Sequence, residues 1–370
     1  MLRTYKYKLY NTKKLNYLHD VINIAGIIYN HCIALYKRYY KLYGKSLNKF
    51  QLQKHLTKLK KREQYSYFSR LGSQAIQNIT ERIDESYKKF FKKQGKPPSF
   101  QKVSKYKSFT LKGSVGYKIK ENVIFINGRD YKFWLSRKLV GKVKTVTIKR
   151  NTIGDIYICI SLEQDKLTKI TTTSGKSVGI DFGLQNFLTI SDNTKIESPL
   201  FYLKNLTKLK KLAKNLAKKK KGSNNRKLAK FQLAKLHIKI VNQRKDYFHK
   251  LANQLRDNYE HIFIEDLNMN SMQKLWGRKV SDLAFSEFVN VLSYKANVIK
   301  IDRFYPSSKT CSSCGVVNDD INKELKNLKD RIFKCQSCNI SLDRDYNASL
   351  NIHRVGTSTQ RGETVRLSLS

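Results

Sequence analysis

Acidic residues are scarce in this chain of 370. Only 28 Asp and Glu stand against 74 Lys and Arg, a formal net charge of +46. So many like charges held together repel one another and invite a polyanion to neutralise them. Nucleic acid is the first candidate and an anionic membrane surface the second. A lysine-rich proteome accounts for part of the excess, since Ile, Asn and Tyr are abundant while Pro and Ala are few. Long apolar runs are missing too. The most apolar window, VINIAGIIYN at 21–30, is short for a bilayer and sits inside an amphipathic pattern. MLRTYKYKLYNTKK at the N-terminus has no apolar signal core. No membrane is expected, and the chain reads as cytoplasmic. Six cysteines are too few for a disulfide scaffold. Four of them cluster near the end, which suggests a metal in a reducing compartment.

What is present changes period along the chain. Residues 2–10 alternate and read as a strand. From Lys13 to Tyr43 apolar residues recur at helical spacing, among them Leu18, Val21, Ile22, Ala25, Ile28 and Ile33. A second helical block runs from about Ser73 to Lys93. QGKPPSFQK at 94–102 breaks the pattern with Gly and two prolines. Beyond it the period becomes two. NVIFING at 122–128 reads as a strand, and KTVTIKR and DIYICISLEQ flank a turn with Asn151 and Gly154. Ile156, Ile158, Ile160 and Leu162 then share a face, and this module is expected to be a small β-barrel. A polar linker covers 166–176. Residues 203–250 read as two basic helices with a turn at GSNN, Asp246 being the only acid in the block. Charge of one sign along such a hairpin suits phosphate tracking. HIFIEDLNM at 261–269 reads as a buried strand with acids at its end, and 286–298 as a helix. Cys32 and Cys159 fall in apolar faces and read as core. The tail after 357 reads as loose.

CSSCG at 311–315 and CQSC at 335–338 form two C-x2-C knuckles separated by twenty residues. Two such knuckles complete a tetrahedral zinc site. The competing reading is a pair of redox motifs, which normally come singly beside a βαβ unit. With four thiolates the site is closed, so Cys311, Cys314, Cys335 and Cys338 would hold one structural Zn2+ that contributes folding energy.

VGIDFGLQNFLTIS at 178–191 raises three readings. A kinase D-F-G needs a glycine-rich loop, a strand lysine and an H-R-D loop upstream, and none is present. An actin-like ATPase would need further glycine-rich phosphate loops downstream, where lysine helices and cysteines stand instead. A metal-dependent nuclease needs carboxylates converging on ions about 4 Å apart. Asp181 ends one apolar strand and Glu265 another, while Asp343 and Asp345 open a helix in LDRDYNASLNI. An acid at the end of an apolar strand is costly unless something binds it. Each alone reads as a cap or a solvated group; together they read as a site.

GIDFGLQNFLTIS, IFIEDLNM and CSSCG…CQSC leading into DRDYNASLNI resemble TnpB, the transposon-encoded RNA-guided nuclease family from which type V CRISPR effectors descend. The resemblance covers nearly the whole chain, including the GKPPSF junction. It implies a multidomain α+β architecture. An RNase H-like RuvC nuclease domain would occupy 174–308, carry the basic hairpin, and resume at 341–356. A zinc ribbon would be inserted at 309–340. A helical recognition lobe would fill 12–95. A wedge β-barrel would combine 1–11 with 96–173, and 357–370 would be a flexible tail. The catalytic acids would be Asp181, Glu265 and Asp345, binding Mg2+, two ions by the family's chemistry. Asp345 is favoured over Asp343 because Asn347 completes a D-x-N pattern, and Glu265 over Asp266 on the same footing. Gly179 and Gly183 would let a phosphate backbone approach Asp181. Ser73, Gln74 and Gln77 would read a short duplex motif, and Lys218, Lys219, Lys220 and Lys221 would grip nucleic acid. The partners would be a guide RNA and double-stranded target DNA, in a prokaryotic host, with pairing reading sequence and protein gripping backbone. Surplus aromatics offer stacking surfaces for bases, although core packing is their commoner fate.

Three other readings stay open. The chain could be a nuclease-inactive RNA-guided repressor, which loss of an acid would favour. It could be a miniature type V effector of the same chemistry. It could also be a zinc-ribbon DNA-binding factor, which leaves the three acids unexplained.

Overall fold

The computed structural model describes residues 2–113, 116–164, 175–267, 277, 282–318, 331–362 and 368–369. Backbone packing divides the chain into two units, Met1–Leu167 and Thr168–Ser370.

The first unit opens with β1 (Leu2–Lys8), followed by α1 (Leu15–Tyr43), α2 (Lys49–Leu59) and α3 (Ser73–Phe91). The helical periodicity produces the expected buried stripe. Leu18, Val21, Ile22, Ala25, Ile28, Cys32 and Ile33 of α1 have no exposed surface. By length and composition alone α1 could cross a membrane, contrary to the expectation that no stretch could. Its apolar face is instead spent on this core. Gly26 marks how closely the layers approach: a Cβ there would lie 2.9 Å from the Tyr106 Cβ. Asn48 begins α2 with a reciprocal capping box to Gln51.

Six further strands complete this unit: β2 (Ser108–Lys112), β3 (Tyr117–Lys120), β4 (Val123–Ile126), β5 (Arg129–Lys132), β6 (Lys142–Arg150) and β7 (Ile156–Glu163). They form a four-stranded sheet in the order β1-β7-β6-β2 and a separate meander β3-β4-β5. Among the described residues an isolated bridge, Leu9 to Phe133, links the two. Among the described residues no ladder joins β2 to β3, so the expected barrel is corrected to two bridged sheets. Ile156, Ile158, Ile160 and Leu162 are fully buried on one face of β7. Cys159 projects from the opposite face and is only half-buried, which corrects its reading as core.

The second unit is built on β8 (Ser177–Asp181), β9 (Asn186–Ile190), β10 (Lys195–Glu197), β11 (His261–Glu265) and β12 (Asn297–Ile301). Sheet order is β10-β9-β8-β11-β12. β8 runs antiparallel to β9 but parallel to β11, and β11 parallel to β12. A short helix α4 (Phe201–Lys204), the hairpin α5 (Leu206–Lys218) and α6 (Asn224–Asn258), and α7 (Phe285–Lys295) lie between strands. The expected helix over 286–298 stops at Lys295 because β12 begins two residues later.

Alternation along the parallel strands sorts the layers. Val178, Ile180, Ile262 and Ile264 face a core shared with Phe248, Phe285 and Phe288. Phe263 faces the other way and packs with Ile352 and Val355 of α8 (Arg344–Arg361). Gly179 shares that second face. A Cβ on Gly179 would sit 2.3 Å from the Ser349 carbonyl oxygen and 2.4 Å from the His353 nitrogen. The room beside Gly179 is therefore filled by α8, not left for a phosphate backbone. Gly356 works in the same way against the Phe263 ring, 2.1 Å from where its Cβ would be.

The segment between β12 and α8 carries β13 (Val316–Val317), β14 (Ile332–Lys334) and β15 (Ser341–Asp343). The end of β15 runs directly into α8, with Asp343 as N-cap. The helix continues to Arg361, and β16 (Ser368–Leu369) pairs with β13. The tail expected to be loose from 357 is thus helical to 361; residues 363–367 and 370 lie outside those described.

Candidate active site

Asp181 and Glu265 end neighbouring parallel strands, one step beyond the paired Ile180 and Ile264. By alternation both continue the Gly179–Phe263 face, the side on which α8 packs. Asp345 stands in the first turn of that helix. Three residues 84 and 80 positions apart are thereby drawn to one end of one sheet.

Electrostatics registers the convergence. Burial pushes the Asp181 carboxyl up from 3.8 to about 7, with the Asp345 and Glu265 charges adding to the effect. The backbone N–H of Phe182 and the charge of Arg344 oppose it. Some of the Asp181 surface still meets water, although protein packs closely round it. Burial also raises the Glu265 carboxyl. Among the described residues neither acid forms an ion pair. Asp345 meets Arg331 at 3.5 Å, on the rim of the site. The only described group whose ligand atoms all lie within 4.8 Å of one another is the cysteine cluster, so the carboxylates are more widely spread than that.

The neighbouring acids behave differently. Asp266 is paired with Lys300 at 2.8 Å and Arg303 at 2.5 Å, which hold its carboxyl below the usual range. Asp343 accepts from the Tyr346 N–H at 3.0 Å as helix cap and pairs with Lys195 at 2.7 Å. Gly183 lies beside the cluster: a Cβ there would be 2.8 Å from the Asn186 carbonyl oxygen and 3.6 Å from Asp345 Oδ2. A 200 Å³ cavity borders Glu265, walled by Phe182, Phe285 and Val289.

The four cysteines form a second centre. Cys311 and Cys338 sulfurs are 3.7 Å apart, and those of Cys314 and Cys335 are 3.6 Å apart. Two Zn–S bonds of about 2.3 Å at the tetrahedral angle put sulfurs about 3.8 Å apart. The donor set and spacing therefore fit one zinc ion. Each knuckle closes alike: Cys311 N–H donates to the Val316 carbonyl and Cys335 N–H to that of Ile340. The residue after each second cysteine, Gly315 or Asn339, adopts positive φ, at 81° and 58°.

The remaining expected residues lie elsewhere. Ser73 and Gln77 are exposed and Gln74 half-buried in the first turns of α3. Lys218 ends α5, and Lys219, Lys220 and Lys221 form the turn into α6. Arg226 fastens that turn by donating to the Leu216 and Lys219 carbonyls at 2.8 and 2.9 Å. Leu209, Leu236 and Ile240 close the hairpin.

Comparison with known proteins places the chain. Residues 157–275 match the family OrfB_IS605, described as a probable transposase. Residues 285–352 match the Cas12f1-like TNB domain. A Streptomyces pristinaespiralis protein, provisionally named an RNA-guided DNA endonuclease, is 28% identical over 98% of this chain and 92% of its own. The chain is a TnpB-type protein. InsQ of Escherichia coli K12, with the same provisional name, is 27% identical over 89% of this chain and 86% of its own. A solved Cas12f1 bound to single guide RNA and target DNA shares the fold. It aligns with a TM-score of 0.58 at 15% identity over 95% of this chain and 98% of that one.

Several residues at the two centres carried no sequence signal for this role. Arg331, Asn351 and Gly356 sit in a charged stretch or within a helix, where polarity and small size look incidental. Only the placement of α8 against the sheet and the knuckles gives them work.

Proposed function

We propose that this TnpB-type chain is an RNA-guided DNA endonuclease with one divalent-metal nuclease centre made by Asp181, Glu265 and Asp345. The observation that carries the proposal is the gathering of these acids at the ends of β8 and β11 and the start of α8, where burial first and then the Asp345 and Glu265 charges raise Asp181 to about 7. Buried carboxylates gathered together, two of them without an ion-pair partner among the described residues, are unfavourable by themselves. They become favourable once a cation sits among them.

Hard carboxylate oxygens suit Mg2+. That ion, when held there, supplies charge neutralisation at the scissile phosphate and acidifies water. The chain's own contribution is placement. Asp181 and Glu265 are fixed by the paired strands, and Asp345 by a capped helix start. Asp181 gives up its proton near neutral pH, so the charge it presents to the site grows as pH rises through about 7. Gly183 keeps a side chain out of the space beside Asp345. Guide RNA and duplex DNA are the partners this reading requires, with the basic turn Lys218–Lys221 and the α3 surface at Ser73, Gln74 and Gln77 as contacts. Base pairing then reads sequence while lysines hold phosphates. A cytoplasmic setting follows from a DNA target in a prokaryotic host. The ribbon cysteines hold a zinc ion that folds the knuckles.

Asp181→Ala in the guide-bound protein tests the reading. Cleavage of target DNA should vanish while guide RNA stays bound; cleavage at an undiminished rate would remove Asp181 from the centre.

A further inference from the structure

Asn347 and Asn351 lie one helical turn apart on α8, both with no exposed surface. A buried side-chain amide is costly unless it is hydrogen-bonded. Theirs reach across to one short stretch of backbone. Ser312 N–H donates to Asn347 Oδ1 at 2.9 Å, and Asn347 Nδ2 donates to the Thr310 carbonyl at 2.8 Å. Asn351 Nδ2 donates to the Ser307 carbonyl at 2.9 Å and to the same Thr310 carbonyl at 2.6 Å. All four hydrogen bonds end on main-chain groups of residues 307–312, and the Thr310 and Ser312 groups flank Cys311. Asn351 Oδ1 has no partner among the described residues. That arrangement is unfavourable unless the donor side is needed.

The other knuckle is attached to the same helix turn. β15 leads into Asp343, and Arg344 N–H donates to the Arg331 carbonyl at 2.6 Å. Both halves of the zinc site therefore converge on the turn that bears Asp345. The contacts that press α8 onto the sheet, at Ser349, His353 and Gly356, lie further along the helix.

We propose that Asn347 and Asn351 are positioning residues through which the loaded cysteine site sets the place of Asp345 and hence the divalent-cation affinity of the nuclease centre. This rests on Asp345 being one of that centre's ligands. The ribbon is then a brace for the nuclease as well as a module of its own. Partners that orient a ligand from behind change metal affinity or activity by about 10–100-fold when removed.

The experiment uses the guide-bound protein. For Asn347→Ala and Asn351→Ala, the Mg2+ concentration giving half-maximal cleavage should rise about tenfold or more. Binding of Mn2+ alone, followed by its EPR signal, should weaken by the same factor. Zinc content and guide binding should stay at wild-type values. Ser312→Pro removes one of the hydrogen bonds from the ribbon side. It should shift the Mg2+ dependence as Asn347→Ala does, and the double variant should be no worse than either single one. A fall in active fraction with unchanged Mg2+ and Mn2+ dependence overturns the proposal, as does full additivity of the two substitutions. Asp181→Ala separates the failures. If it still cleaves, the nuclease centre is misplaced; if it is inactive while the asparagine variants titrate like wild type, only the brace fails.

Discussion

Asp181→Asn should stabilise the metal-free protein, and only at neutral or alkaline pH. The side chain keeps its size and loses its charge. In the folded chain the Asp181 carboxyl titrates at about 7 against an ordinary 3.8, through burial first and then through Asp345 and Glu265. An acid with a raised folded pKa binds more protons folded than unfolded, so its contribution to stability falls as pH rises between those two values. Well below 3.8 the acid is protonated in both states and the penalty is absent. Above about 7 it is fully present, and the gap between 3.8 and about 7 corresponds to at most about 4 kcal/mol. A unit of about 200 residues gains roughly 2–4 °C in Tm per kcal/mol, so the variant should melt about 10 °C higher at pH 8 in chelator. At about pH 3 the two proteins should nearly coincide. Thermal unfolding of both at the two pH values measures this, and taking the difference between them cancels the remaining charge effects. Added Mg2+ should raise the Tm of the wild type and leave the variant behind, because only a ligand that binds the folded state stabilises it. Equal melting of the two proteins at pH 8, or a variant that melts lower there, would refute a strained acid cluster.

Gly179→Ala drives a Cβ into the backbone of Ser349 and His353, atoms that cannot swing aside. Overpacking of this kind costs about 3 kcal/mol, and chemical denaturation should show a loss of that size; an unchanged midpoint would mean that α8 does not lie on β8. Cys335→Ser should lower zinc content from one ion per chain to none and abolish cleavage, as read by metal analysis beside a cleavage assay; full activity without zinc would show that the knuckles are dispensable. Guide RNA affinity should fall steeply with salt, by about 0.7 in log–log slope for each phosphate neutralised. Replacing Lys218 through Lys221 with alanine should flatten that slope by about 3, and an unaltered slope would take the hairpin turn off the phosphate path.

What the sequence reveals here follows from which forces are local. Apolar spacing is local, so α1, α3, the β6–β7 hairpin and the α5–α6 pair were legible within a few residues of their ends. C-x2-C is local as well, since each knuckle closes on its own turn and needs only its fifth residue at positive φ. β12 was missed because Asn297–Ile301 follows a helix with a single residue between, and its apolar residues prolong the helical pattern of Val289, Val291 and Leu292. The barrel was overdrawn because closure depends on pairing between β2 and β3, which alternation cannot report. Gly179 shows the limit most sharply. Beside an acid in G-I-D-F-G, a missing side chain looks like room for a ligand. Whether that room faces solvent or another helix is a property of the third layer, and the third layer comes from α8, some 170 residues away. The same remoteness explains why Asn351 looked unremarkable and why Asn347 stood out only as part of the D-x-N pattern. Their partners are carbonyls and an N–H of residues 307–312, groups that every residue but proline carries whole, so no side-chain pattern marks the other half of the contact.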